Sequence, residues 1–208
     1  MSWYSFCFEY FCIELFKKIK SKIQDTIYFN CNYTYLQNIN NLDHYNLVYL
    51  YCQHSKLYNL KYNLYNLIDL NISFTNIIEL PNSLYNLKYL NIQNTLITSL
   101  PDNLNNLEIL EADNSKLIYL PNNLYNIKKL FIRYTNIKNI LDYNKLEYLD
   151  CSYTQIDQLS DKLIKLKSIN CENTLIKTLS DKYINLEYLN CQNTLINNIS
   201  KLYSFNIL

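Results

Sequence analysis

The aliphatic residues of this chain keep a fixed spacing, and the spacing itself recurs. In residues 186–196, LEYLNCQNTLI, Leu or Ile stands at phrase positions one, four and eleven, a small apolar residue at six and a Thr at nine. Residues 166–176, LKSINCENTLI, carry the same phrase 20 residues earlier. Further copies begin at Leu47, Leu67, Leu87, Leu107, Ile127 and Leu146, and a first one near Thr26 runs through Phe29, Cys31, Thr34, Leu36 and Ile39. The steps are 20 residues, except one of 21 at the start and one of 19 after Ile127, where residues 142–145 form a shortened connection. A constant period of this length is the mark of a solenoid.

Within the phrase, apolar and polar positions alternate, which predicts a short strand. Positions four and six point inward and three, five and seven outward, so stacked repeats predict a parallel sheet with one dry face. About nine residues of each repeat remain after the strand and its turn, too few for a full return helix. The return is therefore expected to be extended or to contain short 3₁₀ turns. Each repeat buries roughly six aliphatics worth about 1.5–3 kcal/mol apiece before entropy is subtracted. That is enough only when neighbours stack, and one repeat alone is not expected to fold.

The phrase resembles the leucine-rich repeat, LxxLxLxxNxL, over residues 26–202, and Pro81, Pro101 and Pro121 follow position fourteen as in its short-repeat subclass (LPNSL, LPDNL, LPNNL). The Asn- and Tyr-rich style is similar to that of leucine-rich repeat proteins of giant DNA viruses of amoebae. The resemblance implies a right-handed β/α-type solenoid curved as a horseshoe, with a parallel β-sheet on the concave face and an extended or 3₁₀ convex side. One departure is regular. Where the family has Asn at position nine, this chain has Thr34, Ser55, Thr75, Thr95, Ser115, Thr135, Thr154, Thr174 and Thr194. A hydroxyl both donates and accepts, so it can serve backbone groups left over where the strand turns away.

Three regions follow: residues 1–25, nine repeats over 26–202, and an incomplete terminal repeat at 203–208. In the first, Phe8, Phe11, Cys12, Leu15, Phe16, Ile19 and Ile23 recur at three- and four-residue steps. This predicts an amphipathic helix that caps the open end of the array. It is too short to span a bilayer, and Glu9, Glu14 and the lack of a cleavage site argue against a signal peptide. An interfacial anchor with Lys17, Lys18, Lys20 and Lys22, or a helix that recruits a second protein, are its alternatives. Phrase position two checks the register: Lys88, Glu108, Lys128, Glu147, Lys167 and Glu187 alternate in sign.

Composition removes most chemistry. The chain has 33 Asn, 22 Tyr, a single Arg and no Gly, a bias expected of an AT-rich genome. Without Gly there is no phosphate loop, dinucleotide fingerprint or G-x-S-x-G elbow. His44 and His54 belong to no zinc-spaced set, and Cys52 with His54 reads as a packed thiol beside a solvated imidazole. No catalytic, cofactor or metal residue is expected. A net charge of +1 gives no steering toward nucleic acid. Five of the 7 Cys (Cys31, Cys52, Cys151, Cys171, Cys191) occupy position six. There they are expected to act as small hydrophobes without a disulfide framework, which suits the cytoplasm.

The outward positions remain. Tyr28, Tyr49, Tyr89, Tyr148 and Tyr188 fill position three, Tyr51 and Phe131 position five, and Tyr33, His54, Phe74, Tyr134 and Tyr153 position eight. Asn30, Asn71, Asn91, Asn170 and Asn190 fill most other position-five sites. Tyr with Asn on a rigid sheet resembles paratope chemistry. The densest patch is Phe131, Arg133, Tyr134, Tyr148, Asp150 and Tyr153, flanked by Glu111 and Asp113. Aromatic faces also stack nucleobases, but the mixed charge argues against nucleic acid. The expected function is a non-enzymatic scaffold for a protein or peptide. The alternatives are an adaptor acting through residues 1–25, or weak self-association through the apolar edge at 205–208.

Overall fold

The computed structural model describes residues 28–39, 46–60 and 63–198, together with the backbone of 206–207. The expected capping helix over 1–25 lies outside the described residues. Each repeat supplies one three-residue strand: β1 (Tyr28–Asn30), β2 (Tyr49–Tyr51), β3 (Asp69–Asn71), β4 (Tyr89–Asn91), β5 (Ile109–Glu111), β6 (Lys129–Phe131), β7 (Tyr148–Asp150), β8 (Ser168–Asn170) and β9 (Tyr188–Asn190). With β10 (Asn206–Ile207) they form one parallel sheet in chain order. The middle residue of every strand from β1 to β9 is buried, as period-two alternation requires. Equal phrase positions pair across the rungs, for instance Leu50↔Leu70 and Leu90↔Leu110. The 19-residue step does not disturb this, since Leu130 pairs with Leu149.

What ends each strand is a corner that the phrase does not advertise. Position eight has positive φ in all nine repeats, at Tyr33, His54, Phe74, Asn94, Asn114, Tyr134, Tyr153, Asn173 and Asn193, with φ between 53° and 57°. This left-handed conformation is unfavourable for any residue with a Cβ, and least so for Asn. The corner aims the position-eight N–H at the position-seven carbonyl of the next rung, as from His54 to Ser73 and from Asn94 to Asp113 (3.0 and 2.9 Å). Position six likewise bonds onward, Ile92 N–H to Glu111 at 2.8 Å. The ladder therefore continues past the strand itself.

The position-nine hydroxyls behave largely as expected of them. In eight repeats the hydroxyl donates to the position-six carbonyl of its own repeat at 2.6–2.8 Å. The exception is Ser115, whose buried Oγ has no partner.

The core is one continuous column of aliphatics running the length of the described stack. Tyr143 and Tyr183 stand in it where other repeats place Leu64, Leu84, Leu104, Leu124 and Leu163. Their hydroxyls are satisfied by the carbonyls of Pro121 and Ser160, each at 2.9 Å. On the return side the extended alternative is the one found. Turns such as Leu87 N–H to Leu84 O (3.1 Å) occur singly, and no helix, α or 3₁₀, is present among the described residues. None of them forms a helix long and apolar enough to cross a membrane.

Two columns of polar side chains tie the return arcs together. Asn86, Asn106, Asn126 and Asn185, each just before position one, donate to a carbonyl of the previous arc at 2.7–2.9 Å. At position two, Lys128 closes on Glu108 and Lys167 on Glu147, both at 2.6 Å. Contact is thus made back along the stack, rather than with both neighbours.

The cysteines require a correction. Cys31 and Cys52 are joined by a disulfide, with Cα atoms 4.7 Å apart, and do not act as independent small hydrophobes. The register permits the bond: equal positions on adjacent rungs lie about 4.8 Å apart, within disulfide range. Cys151, Cys171 and Cys191 follow one another in the same column as free thiols, the first two fully buried.

Candidate interaction face

The outer face of the sheet is where the expected site residues lie, on four separate stretches. Tyr49 and Tyr51 belong to the first, on β2. The Tyr51 hydroxyl donates to Asp69 Oδ2 at 2.8 Å, and its ring meets the edge of Tyr28, centroids 5.5 Å apart. Burial, with Asp69 adding to it, holds the Tyr51 phenol well above its usual range. Tyr89 is alone on β4 and half-buried, its phenol pushed up to about 12 chiefly by burial. Tyr188, on β9, is exposed.

The remaining stretch brings together Phe131, Arg133, Tyr134, Tyr148, Asp150 and Tyr153 on β6, β7 and the corners after them. Phe131 pairs in register with Asp150, and Lys129 with Tyr148. The rings of Tyr134 and Tyr153 stack at 4.4 Å and 19°. Lys129 Nζ stands 5.1 Å from the centre of the Tyr148 ring, a cation–π contact. The Tyr153 hydroxyl donates to Glu172 Oε1 at 2.9 Å, and that bond is the main reason its phenol is raised to about 12.

Two carboxylates, Asp150 of the patch and Asp113 beside it, are engaged in hydrogen bonds within the sheet. Asp113 accepts from the Arg133 backbone N–H (2.8 Å) and from its Nε (3.0 Å). Asp150 accepts from Ser152 N–H and Oγ (3.1 and 2.7 Å) and from Asn170 Nδ2 (3.0 Å). The position-five asparagines belong to the same pattern. Asn30, Asn71, Asn91, Asn170 and Asn190 each accept the backbone N–H two residues on, at 3.0–3.3 Å, closing an Asx turn at the strand end. Their paratope-like look comes from turn chemistry. Where Phe131 replaces Asn, Asp113 of the preceding rung supplies the missing acceptor.

An aromatic column at position eight was visible only as a set of letters. Tyr33, His54 and Phe74 stack in sequence at 4.8 and 4.2 Å, with planes within 9° and 13°. His54 is exposed to solvent, as its imidazole was expected to be, but lies between two rings. At outward positions the carboxylates Asp69, Glu111, Asp113, Asp150 and Glu172 outnumber Lys129 and Arg133. Burial pushes the Asp69 and Asp113 carboxyls up, while the Tyr51 and Arg133 hydrogen bonds pull them back. No group of three metal-binding side chains occurs among the described residues. A cleft of about 810 Å³ at the shortened connection, lined in part by Tyr125, Ile140, Asp142 and Ser160, lies on the return side. Its Asp142 is already paired with Lys162.

No protein-family model and no curated protein matches the sequence. Solved structures match it in shape. The functional domain of InlJ from Listeria monocytogenes, which includes a cysteine ladder, superposes with a TM-score of 0.81 at 22% identity, over 91% of this chain and 45% of that one. Toll of Drosophila, in its complex with Spatzle, gives 0.59 at 20% over 75% and 25%. TLR13, in its complex with ssRNA13, gives 0.59 at 22% over 78% and 28%. The chain spans less than half the length of each of these proteins. What the likeness shows is the fold, a leucine-rich repeat solenoid.

Proposed function

We propose that the chain is a non-enzymatic scaffold that holds a protein or peptide partner against the outer, concave face of its sheet. The observation that carries this reading is the set of exposed rings on a backbone pinned rung to rung: Tyr49, Tyr148 and Tyr188 on the strands, Tyr134 and Tyr153 at the corners. Rings held in this way offer large amphipathic contact at little entropic cost. Neighbours of the same fold engage both kinds of macromolecule, Toll with Spatzle and TLR13 with ssRNA13. Between the two, the excess of carboxylates on the outer face favours protein over a polyanion. The Asn- and Tyr-rich composition supports a viral origin, with the host cytoplasm as the place of work.

The test is partner capture from such a cytoplasm by the full chain and by the double variant Phe131→Ala with Tyr148→Ala. Capture is expected to be lost with little change in thermal midpoint. Undiminished capture by the double variant rejects the patch.

A further inference from the structure

The position-eight column is interrupted. Tyr33, His54 and Phe74 form one stack, Tyr134 and Tyr153 another, and Asn94 and Asn114 lie between them. Within each stack the centroid separations of 4.2–4.8 Å match the rung spacing of about 4.8 Å, so the rings stand face to face along the solenoid axis. The second face of Phe74 is therefore directed toward the second face of Tyr134 across three rungs, roughly 14 Å. Both rings are about half exposed (46% and 51%). Asn is much shorter than Phe or Tyr, so the column drops into a notch walled by two aromatic faces.

Between the Phe74 wall and Asn114 the strands and corners carry acidic charge only, while the Tyr134 wall stands on the rung of Lys129 and Arg133. Residues 69–74, 89–94 and 109–114 contain Asp69, Glu111 and Asp113 and no Lys, Arg or His. Asp113 is neutralised by Arg133. Among the described residues Asp69 and Glu111 form no ion pair. Glu111 Oε2 accepts from the neutral amides of Asn91 and Gln93 (2.8 and 3.3 Å) and has the Tyr89 phenol beside it, all uncharged groups, and Asp69 Oδ1 has no hydrogen-bond partner. Planar aromatic walls beside unmatched carboxylates suit a planar cation: guanidinium stacks on rings and presents a fork of donors to a carboxylate, which an ammonium cannot do.

We propose that this notch takes the guanidinium of an arginine carried on an extended basic segment of the partner, stacked on Phe74 or Tyr134 with its N–H groups turned to Glu111. The inference deepens the reading of the outer face as the binding surface and rests on it. It gives that surface a chemical preference: a basic, arginine-bearing peptide, with Lys a poor substitute.

Fluorescence anisotropy of the full chain with labelled hexa-arginine, hexa-lysine and hexa-glutamate tests it, at low and at physiological salt. The variants are Phe74→Asn, Tyr134→Asn and Glu111→Gln. Asn already occupies position eight in four repeats with φ of 53–56°, so the first two remove a wall while keeping a residue the corner accepts; thermal melts check this. Hexa-arginine is expected to bind about tenfold more tightly than hexa-lysine, and hexa-glutamate not at all. Glu111→Gln and at least one of the two ring variants are expected to weaken hexa-arginine about five- to tenfold and to shrink its advantage over hexa-lysine. Equal binding of the two basic peptides, indifference of hexa-arginine to all three variants, or preference for hexa-glutamate overturns the proposal. If hexa-arginine fails while Phe131→Ala with Tyr148→Ala still abolishes partner capture, only this inference falls. If hexa-arginine binds as described but the double variant captures normally, the Phe131–Tyr148 patch falls and the notch stands.

Discussion

The imidazole of His54 lies flat on the ring of Phe74, centroids 4.2 Å apart and planes within 13°, and both residues hold a left-handed backbone. The two facts are linked. A bulky side chain at positive φ carries a cost of about 1–2 kcal/mol, and stacked rings return about 0.5–1.5 kcal/mol per pair. Aromatic residues occupy the corner where they have a stacking neighbour, and Asn occupies it elsewhere.

A rung without a ring should therefore feel the backbone alone. Asn94→Ala is expected to lower unfolding free energy by about 1 kcal/mol, and Asn94→Gly to leave it unchanged or slightly raised. Urea denaturation of the two variants checks this, and equal midpoints would contradict the account of the corner.

Position nine offers a contrast between two buried hydroxyls. Thr95 Oγ1 donates to the Ile92 carbonyl at 2.7 Å, whereas Ser115 Oγ has no partner. Thr95→Val keeps the shape and orphans a buried acceptor, at an expected cost of about 1–3 kcal/mol. Ser115→Ala removes an unpaired hydroxyl and is expected to be neutral or mildly stabilising. A larger loss from Ser115→Ala than from Thr95→Val would reverse the assignment.

Three free thiols stand in one column but differ in access. Burial pushes all three up, Cys151 well above its ordinary value and Cys171 to about 12. At pH 8 they stay protonated, and the thiolate is the nucleophile. Iodoacetamide on the native chain, read by peptide mass spectrometry, is expected to modify Cys191 first, with Cys151 and Cys171 protected until unfolding.

The position-two ladder sets an acid response. Hydrogen bonds from Lys128 and Lys167 hold the Glu108 and Glu147 carboxyls below the ordinary glutamate range. A depressed carboxyl contributes stability that is complete above its unfolded value and is lost as pH falls through the folded one. Asp69 and Asp113, raised by burial, act in the opposite sense and lose their contribution as pH rises. Lys167→Glu places three like charges in line with Glu147 and Glu187, so its thermal midpoint should fall at pH 7. High salt and mild acid should both recover part of the loss; a salt-independent loss would point to packing instead.

The letters of the chain disclosed the rungs because period and alternation are set by burial, and burial selects residue type at every repeat. Leu50, Leu70, Leu90 and their equivalents could be assigned inward from spacing alone, and the charges at position two fell on one line as expected. The corner was harder to see. With no Gly to flag positive φ, its tolerant residue was Asn in four repeats and hidden under aromatics in five. The candidate site was legible as a list of rings, but Asp113, Arg133, Asp150 and the position-five asparagines could not be sorted into contact residues and turn residues. That distinction depends on which hydrogen bond each side chain makes. The Cys31–Cys52 bond is hidden for a related reason: equal position on neighbouring rungs implies shared burial and bonding distance alike.

The residue missing between Ile127 and Leu146 leaves Leu130 facing Leu149, so the shortfall is absorbed on the far arc of the coil. Length can drift there while the spacing of rings and carboxylates on the opposite side stays constant. Insertions and deletions can then accumulate on the back of the molecule without rewriting what its front recognises.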